Sequence, residues 1–145
     1  MLVTIHQPQF MPWLGYFDKM DQADLFVRLD TVQYKKNEWQ NRNRLKTAQG
    51  PQWLTVPVRF RFPARIDEVV VNDDAPWRHK HKQALVTNYR RAQAWEAEEA
   101  SLDALYAETG TLLRDINGAT IDWLSSRLRL DTENRWASDL PITEQ

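Results

Sequence analysis

The 145-residue chain has no cysteine, only four glycines and no apolar run approaching the length of a membrane span. Without thiols it forms no disulfide and no thiolate metal site, and a cysteine nucleophile is excluded; this absence is compatible with a cytoplasmic enzyme. No stretch reaches the roughly 20 apolar residues that a spanning helix needs, and no basic-then-apolar leader ends in a small-residue cleavage site. The few glycines form no phosphate-cradling loop. There is also no Gly-x-Ser-x-Gly elbow and no zinc-ligand spacing. These absences remove the best-marked enzyme classes and leave a protein expected to be cytoplasmic, with no membrane span.

Tryptophan is what the chain has in excess: seven residues, well above the usual share for this length. Most tryptophans in such a chain are core residues. A net charge of −1 conceals an asymmetry. Through Ala92 there are fifteen Lys/Arg against nine Asp/Glu, a net of +6; from Gln93 onward there are four against eleven, a net of −7. A basic front favours an anionic ligand such as phosphate, nucleotide or nucleic acid, expected here as a small-molecule substrate, although mutual attraction of the two halves, or solvated acidic helix faces, is the plainer alternative. Nucleic acid is disfavoured as a partner by the near-neutral total.

Along the chain, Leu2–His6 reads as a short buried strand, Trp13–Ala23 as a helix with Pro12 near its first turn, and Leu25–Asp30 as a second strand. The interval suits a crossover helix and so a parallel βαβ unit. Arg44–Thr47 and Trp53–Val58 flank Gln49-Gly50-Pro51, a hairpin signal, and Arg65–Val71 is a further candidate strand. Asp73 or Asp74 is placed to cap a helix carrying Pro76 and running to about Tyr89. Gln93–Ala107 and Thr111–Leu128 read as two more helices, and Asp131–Gln145 as turn and coil. The expected fold is α/β: an N-terminal βαβ (Rossmann-like) unit plus a β-hairpin, packed against a C-terminal group of about three helices. One domain is expected over residues 1–145, with a basic α/β front (1–72) and an acidic helical back (73–145).

Two blocks carry the candidate chemistry. The first is IHQPQFMPWLGYFDKM, where His6 ends the first strand beside Gln7, and Trp13, Gly15 and Tyr16 open the helix. A polar, ring-rich loop between strand and helix is a usual ligand position in α/β proteins. His6 can act there as a base or as a hydrogen-bond donor, or simply bond a nearby backbone group. The second is DTVQYKKNEWQNRNRLK. Asp30 closes a strand; Gln40, Asn41, Arg42 and Asn43 offer amide and guanidinium contacts; Tyr34 and Trp39 offer stacking surfaces; Arg42 and Lys46 suit phosphate. The plainer reading of this block is a solvated basic loop anchored by Trp39. In Trp77-Arg78-His79-Lys80-His81-Lys82 the histidines lie on different helix faces, so no metal site is expected. Trp77, His81, Leu85 and Tyr89 share one face, expected to pack on the sheet with His81 reaching toward the cleft.

These two blocks, together with GPQWLTVPV and the Trp77…His81…Tyr89 spacing, resemble the WbqC-like protein family over nearly the whole chain. The resemblance implies a setting in bacterial O-antigen and surface-polysaccharide genes and an activity proposed as glycine transfer onto a glycan sugar. His6, Gln7, Pro8, Trp13, Gly15, Tyr16, Asp30, Gln33, Gln40, Asn41, Arg42 and Asn43 occupy its signature positions. Members are usually longer, so the chain is expected to be a shortened copy or part of a longer protein, either inactive or dimerising to cover apolar surface. The leading expectation is an acyl or aminoacyl transferase on a sugar or nucleotide sugar, with His6 or Asp30 as base; the cofactor is unknown. The alternatives are an ATP-dependent adenylate-forming or nucleotidylyl-transferase-like enzyme and a non-catalytic sugar-nucleotide or nucleic-acid binding module.

Overall fold

A computed structural model describes residues 1–107 and 110–141. The βαβ expectation holds: β1 (Val3–His6), α1 (Leu14–Asp21) and β2 (Leu25–Arg28) form a parallel crossover. The third strand of this sheet comes from the far end of the chain. β7 (Glu133–Trp136) lies parallel to β2, giving the order β1-β2-β7. That corrects the reading of the tail as turn and coil, and it means that residues 73–145 contribute to the sheet as well as to the helices; positions 142–145 of that tail lie outside the described residues. β7 is four residues long and pairs on one side only, so its sequence, Glu-Asn-Arg-Trp, carries almost no strand pattern.

β3 (Arg42–Thr47) and β4 (Gly50–Thr55) form the expected antiparallel hairpin, with Arg44 opposite Trp53 and Lys46 opposite Pro51. The turn falls at Ala48-Gln49, and Gly50 follows it with φ near +110°, a conformation that favours glycine. Two residues, β5 (Val58–Arg59), pair with β6 (Val70–Val71). The strand expected over Arg65–Val71 is instead a 3₁₀ turn at Ile66–Glu68 followed by β6. Ile66 and Val69 are buried core residues, so the apolar run that looked like a strand is a buried turn.

Three helices complete the α/β fold: α2 (Trp77–Tyr89), α3 (Trp95–Tyr106) and α4 (Leu113–Leu128). Pro76 is the N-terminal boundary of α2. Asp73 caps nothing by its side chain; it accepts from the Trp77 indole at 3.0 Å and pairs with Arg78. Two cores result. Tyr16, Phe17 and Met20 of α1 meet Phe26 and Ile121 beneath the sheet, while Phe10, Leu45, Leu54, Val56, Ile66, Trp77 and Leu113 join the hairpin, α2 and α4. Phe10 is a loop residue, yet it is completely buried, and this anchors the loop between β1 and α1 in the second core.

Candidate functional site

The loop that follows β1 is fixed from two sides. Met11 takes a left-handed backbone, φ 46°, which is strained for a side chain of this kind. Its N–H donates to Thr120 Oγ1 of α4 at 3.1 Å, and its carbonyl accepts from Asn43 Nδ2 of β3 at 2.5 Å. The Phe10 N–H donates to the Trp39 carbonyl at 3.1 Å. The amide run read from the sequence therefore works largely as stitching. Gln40 Nε2 donates to Gln7 Oε1 at 2.7 Å, Gln40 Oε1 accepts from the Lys35 N–H at 2.9 Å, and Asn41 Nδ2 donates to the Val56 carbonyl at 3.0 Å. Gln40 and Asn41 are buried, so their amides hold the two loops in register.

What this stitching supports is an open cleft of about 520 Å³ lined by Trp13, Trp39, Asn43 and Arg44. Trp13 precedes α1 and is 67% exposed. Its ring lies against the backbone of Gly15, where an added Cβ would meet ring atoms at 2.1 Å. Gly15 is thus the clearance that lets the indole lie over the helix start and turn its remaining surface to the cleft. Trp39 is tilted against Trp53 at 5.6 Å between ring centroids. Arg42 lies 4.2 Å over Trp53, and Arg44 lies 5.5 Å from both Trp39 and Trp53. Arg42, Arg44 and Trp53 of the hairpin thus group with the preceding Trp39, guanidinium against indole, an arrangement suited to planar or sugar rings bearing negative charge. Arg42 also donates to the Asn37 carbonyl, so part of its guanidinium is already engaged.

His6 ends β1 beside Arg28 of β2 and makes an edge-to-face contact with Tyr16 at 4.9 Å. Its Nδ1–H donates to the Gln7 carbonyl at 2.9 Å, which leaves Nε2 as the acceptor nitrogen. Tyr16 itself is buried in the core, and burial raises its phenol above the ordinary range.

Several candidates land elsewhere. Asp30 is 0% exposed, and both carboxylate oxygens are engaged: Arg114 Nη1 donates at 2.6 Å, Ser138 Oγ at 2.7 Å and the Ser138 N–H at 3.0 Å. It ties β2 to α4 and to the turn after β7, so its carboxylate is closed off as a structural group rather than open as a base. Tyr34 offers no stacking face; it is core, against Phe60 at 4.9 Å, and burial pushes its phenol up to about 12. His81 does not reach the cleft. It is 4% exposed, its Nε2–H donates to the Thr55 carbonyl at 3.0 Å, and its Nδ1 faces the Tyr106 hydroxyl at 3.3 Å. Burial holds it down to about 4, hence neutral. Trp77 and His81 pack in the core beside α3 and the hairpin rather than on the parallel sheet. Gln33 is exposed and forms a single bridge with Arg65. Lys46 lies at the other end of β3, away from the residues that line the Trp13 cleft.

Three contributors escaped the sequence reading. Arg44 and Trp53 lie on the hairpin, where the sequence marks only strand and turn. Asn117 of α4 is fully buried and donates to the Gln40 carbonyl at 2.8 Å and to that of Pro8 at 3.4 Å, holding the two loops together. The sequence does flag it: an Asn-Gly pair inside a helix is unfavourable and signals a local packing demand. Gly118 meets that demand, since a Cβ there would lie 2.9 Å from the Trp136 ring.

A model of the WbqC-like protein family matches residues 7–145. The chain is 38% identical, over 143 residues, to the uncharacterized protein Rv1507c of Mycobacterium tuberculosis. The alignment covers 95% of this chain and 62% of that relative. No solved structure gives a significant match. No helix among the described residues is long and apolar enough to cross a membrane.

Proposed function

Because the chain belongs to the WbqC-like protein family, we propose that it takes part in an acyl or aminoacyl transfer to a sugar or nucleotide sugar in surface-polysaccharide assembly, in the cytoplasm. The observation that carries this reading is the cleft itself. Trp13 and Trp39 line it with indole surface, Asn43 adds an amide, and Arg44 brings positive charge. Indole rings suit the C–H face of a sugar or the plane of a base, and a guanidinium suits phosphate or carboxylate. Acyl transfer needs a base for the incoming hydroxyl or amine and donors for the developing oxyanion. His6 does not itself line the cleft but ends β1, from which the loop to Trp13 departs, and in this reading it supplies the base: with Nδ1–H held by the Gln7 carbonyl, Nε2 takes the proton as the nucleophile attacks the acyl carbon. The Gln7 side-chain amide, whose oxygen is occupied by Gln40, is left to donate to the oxyanion. The acyl–donor bond then breaks and the donor group departs with the proton that Nε2 returns.

A thermal-shift screen against nucleotide sugars, ATP and glycyl donors tests the reading, since a ligand that binds only the folded state raises its melting temperature. A nucleotide sugar is expected to stabilise the protein and to lose that effect in Trp13→Ala and Arg44→Gln. His6→Ala is expected to bind but not to turn over. A response to ATP with pyrophosphate release would replace transfer by adenylate formation.

A further inference from the structure

The Trp13 cleft does not account for Lys46. That residue lines a separate crevice of about 490 Å³, between the hairpin tip and the C-terminal end of α2, together with Thr47, Asn88, Arg90 and Arg91. A neighbouring crevice of about 410 Å³ shares Thr87 and Asn88 and adds Gln52, Gln83 and Lys80. The two therefore adjoin at Thr87 and Asn88 of α2. Lys46, Lys80, Arg90 and Arg91 are all exposed, and none has an ion-pair partner among the described residues, although eleven ion pairs occur there. No carboxylate lines either crevice. The C-terminal end of α2 contributes roughly half a negative charge, far less than four cations.

We propose that this groove is a second ligand site, for a chain of phosphoryl groups. Four uncompensated like charges repel one another, and an anion seated between them removes that repulsion as well as adding contacts. Arginine forks match phosphate oxygens in pairs, and the Thr47 and Thr87 hydroxyls and the Gln52 and Gln83 amides add neutral donors along the same path. Two adjoining crevices suit several phosphoryl groups in series better than one. The proposal does not depend on the transferase reading, because no residue of this groove lines the Trp13 cleft.

Inorganic tripolyphosphate is the probe, titrated calorimetrically into the full chain, with orthophosphate beside it. Tripolyphosphate is expected to bind more tightly than orthophosphate and to weaken as salt rises. The Arg90→Gln/Arg91→Gln double variant, exposed and so expected to melt as the parent does, should bind at least tenfold more weakly. A charge-matched double, Arg61→Gln/Arg129→Gln, should change affinity less than twofold. Equal losses in the two doubles would reduce the effect to overall charge and overturn the site. So would absence of tripolyphosphate binding, or unchanged affinity in the first double. Binding to phosphatidylglycerol vesicles that tripolyphosphate fails to compete would also overturn it, in favour of a membrane surface.

Discussion

The corner around Asp30 and the face around Trp13 both follow strands of the same basic front, yet they treat their polar and aromatic groups in opposite ways. At Asp30 every charge is closed on itself: the carboxylate takes three donors, and the Arg114 guanidinium also lies 4.6 Å from the Trp136 ring. At Trp13, Trp39 and Arg44 the rings and the cation are held in position by others while their own surfaces stay open. Residue type alone does not separate the two, since each holds Arg, Trp and a side-chain donor. Satisfaction does. A closed set stabilises the chain; an open set, rigidly supported, is available to a ligand.

The largest effect should come from the closed corner. Asp30→Ala removes the buried acceptor of Arg114 and of both Ser138 donors; Arg114 keeps Ser138 Oγ and, at 3.8 and 4.0 Å, Asp115 and Asp139, so the cost is expected at the low end for breaking a buried ion pair, about 3 kcal/mol. Urea unfolding of wild type and variant measures this directly. A loss below about 1 kcal/mol would place Asp30 among the open groups after all.

His81 is the next closed group, and pH reads it. Its folded value is down to about 4, against an unfolded value near 6.5. The unfolded chain therefore binds the extra proton first, so this contribution is complete above pH 6.5 and is lost as pH falls from there toward 4. The shift corresponds to about 3 kcal/mol. Urea midpoints at pH 7, 5.5 and 4.5 should fall accordingly, and the fall should be visibly shallower in His81→Gln. Equal slopes in the two proteins would mean that His81 is not buried neutral.

Between the two regions stands Asn117, closed on one end and serving the open face on the other. Asn117→Ala removes the donor to the Gln40 and Pro8 carbonyls and should cost about 2 kcal/mol in urea unfolding. Unlike Asp30→Ala, it should also weaken any ligand of the Trp13 cleft, because the loops carrying Gln7 and Trp39 lose their common support. Lost stability with unchanged affinity would confine Asn117 to the core.

The sequence foretold the local parts of this comparison and little of its long-range half. β1, α1, β2 and the hairpin show as apolar runs and turn signals within a few residues of their true bounds. The aromatic and amide content of residues 6–43 points to the face where the structure leaves Trp13 and Trp39 lining a cleft, since Trp13, Gly15 and Trp39 need only local context. What it could not show is which polar groups find partners. Arg114 and Ser138 lie 84 and 108 residues from Asp30, and Thr120 lies 109 from Met11. Nothing in Asp-Thr-Val-Gln-Tyr distinguishes an Asp held by such partners from one free to act, nor a Tyr34 turned into the core from one turned outward. β7 was invisible for the same reason, as a polar tetrapeptide made a strand by its neighbour β2.

The smallest stability effect, and the sharpest test of the open face, is Trp13→Ala. The ring is mostly in water and contacts Gly15 backbone, so its loss should change unfolding free energy by no more than about 0.5 kcal/mol. Ligand affinity should behave differently: an aromatic platform is worth roughly 1–1.5 kcal/mol, about tenfold in Kd, to a stacked ring. Arg44→Gln should act in the same direction and flatten the salt dependence of binding, whereas Trp13→Ala should leave that dependence intact. Gly15→Ala completes the argument, because its Cβ would displace the Trp13 ring without removing it. Affinity lost in Gly15→Ala to the same degree as in Trp13→Ala would show that the pose of the indole, and not merely its presence, makes the cleft. Tryptophan fluorescence quenching by the nucleotide sugar that gives the thermal shift measures all three variants on one scale, and full affinity in Trp13→Ala would move the site away from this face.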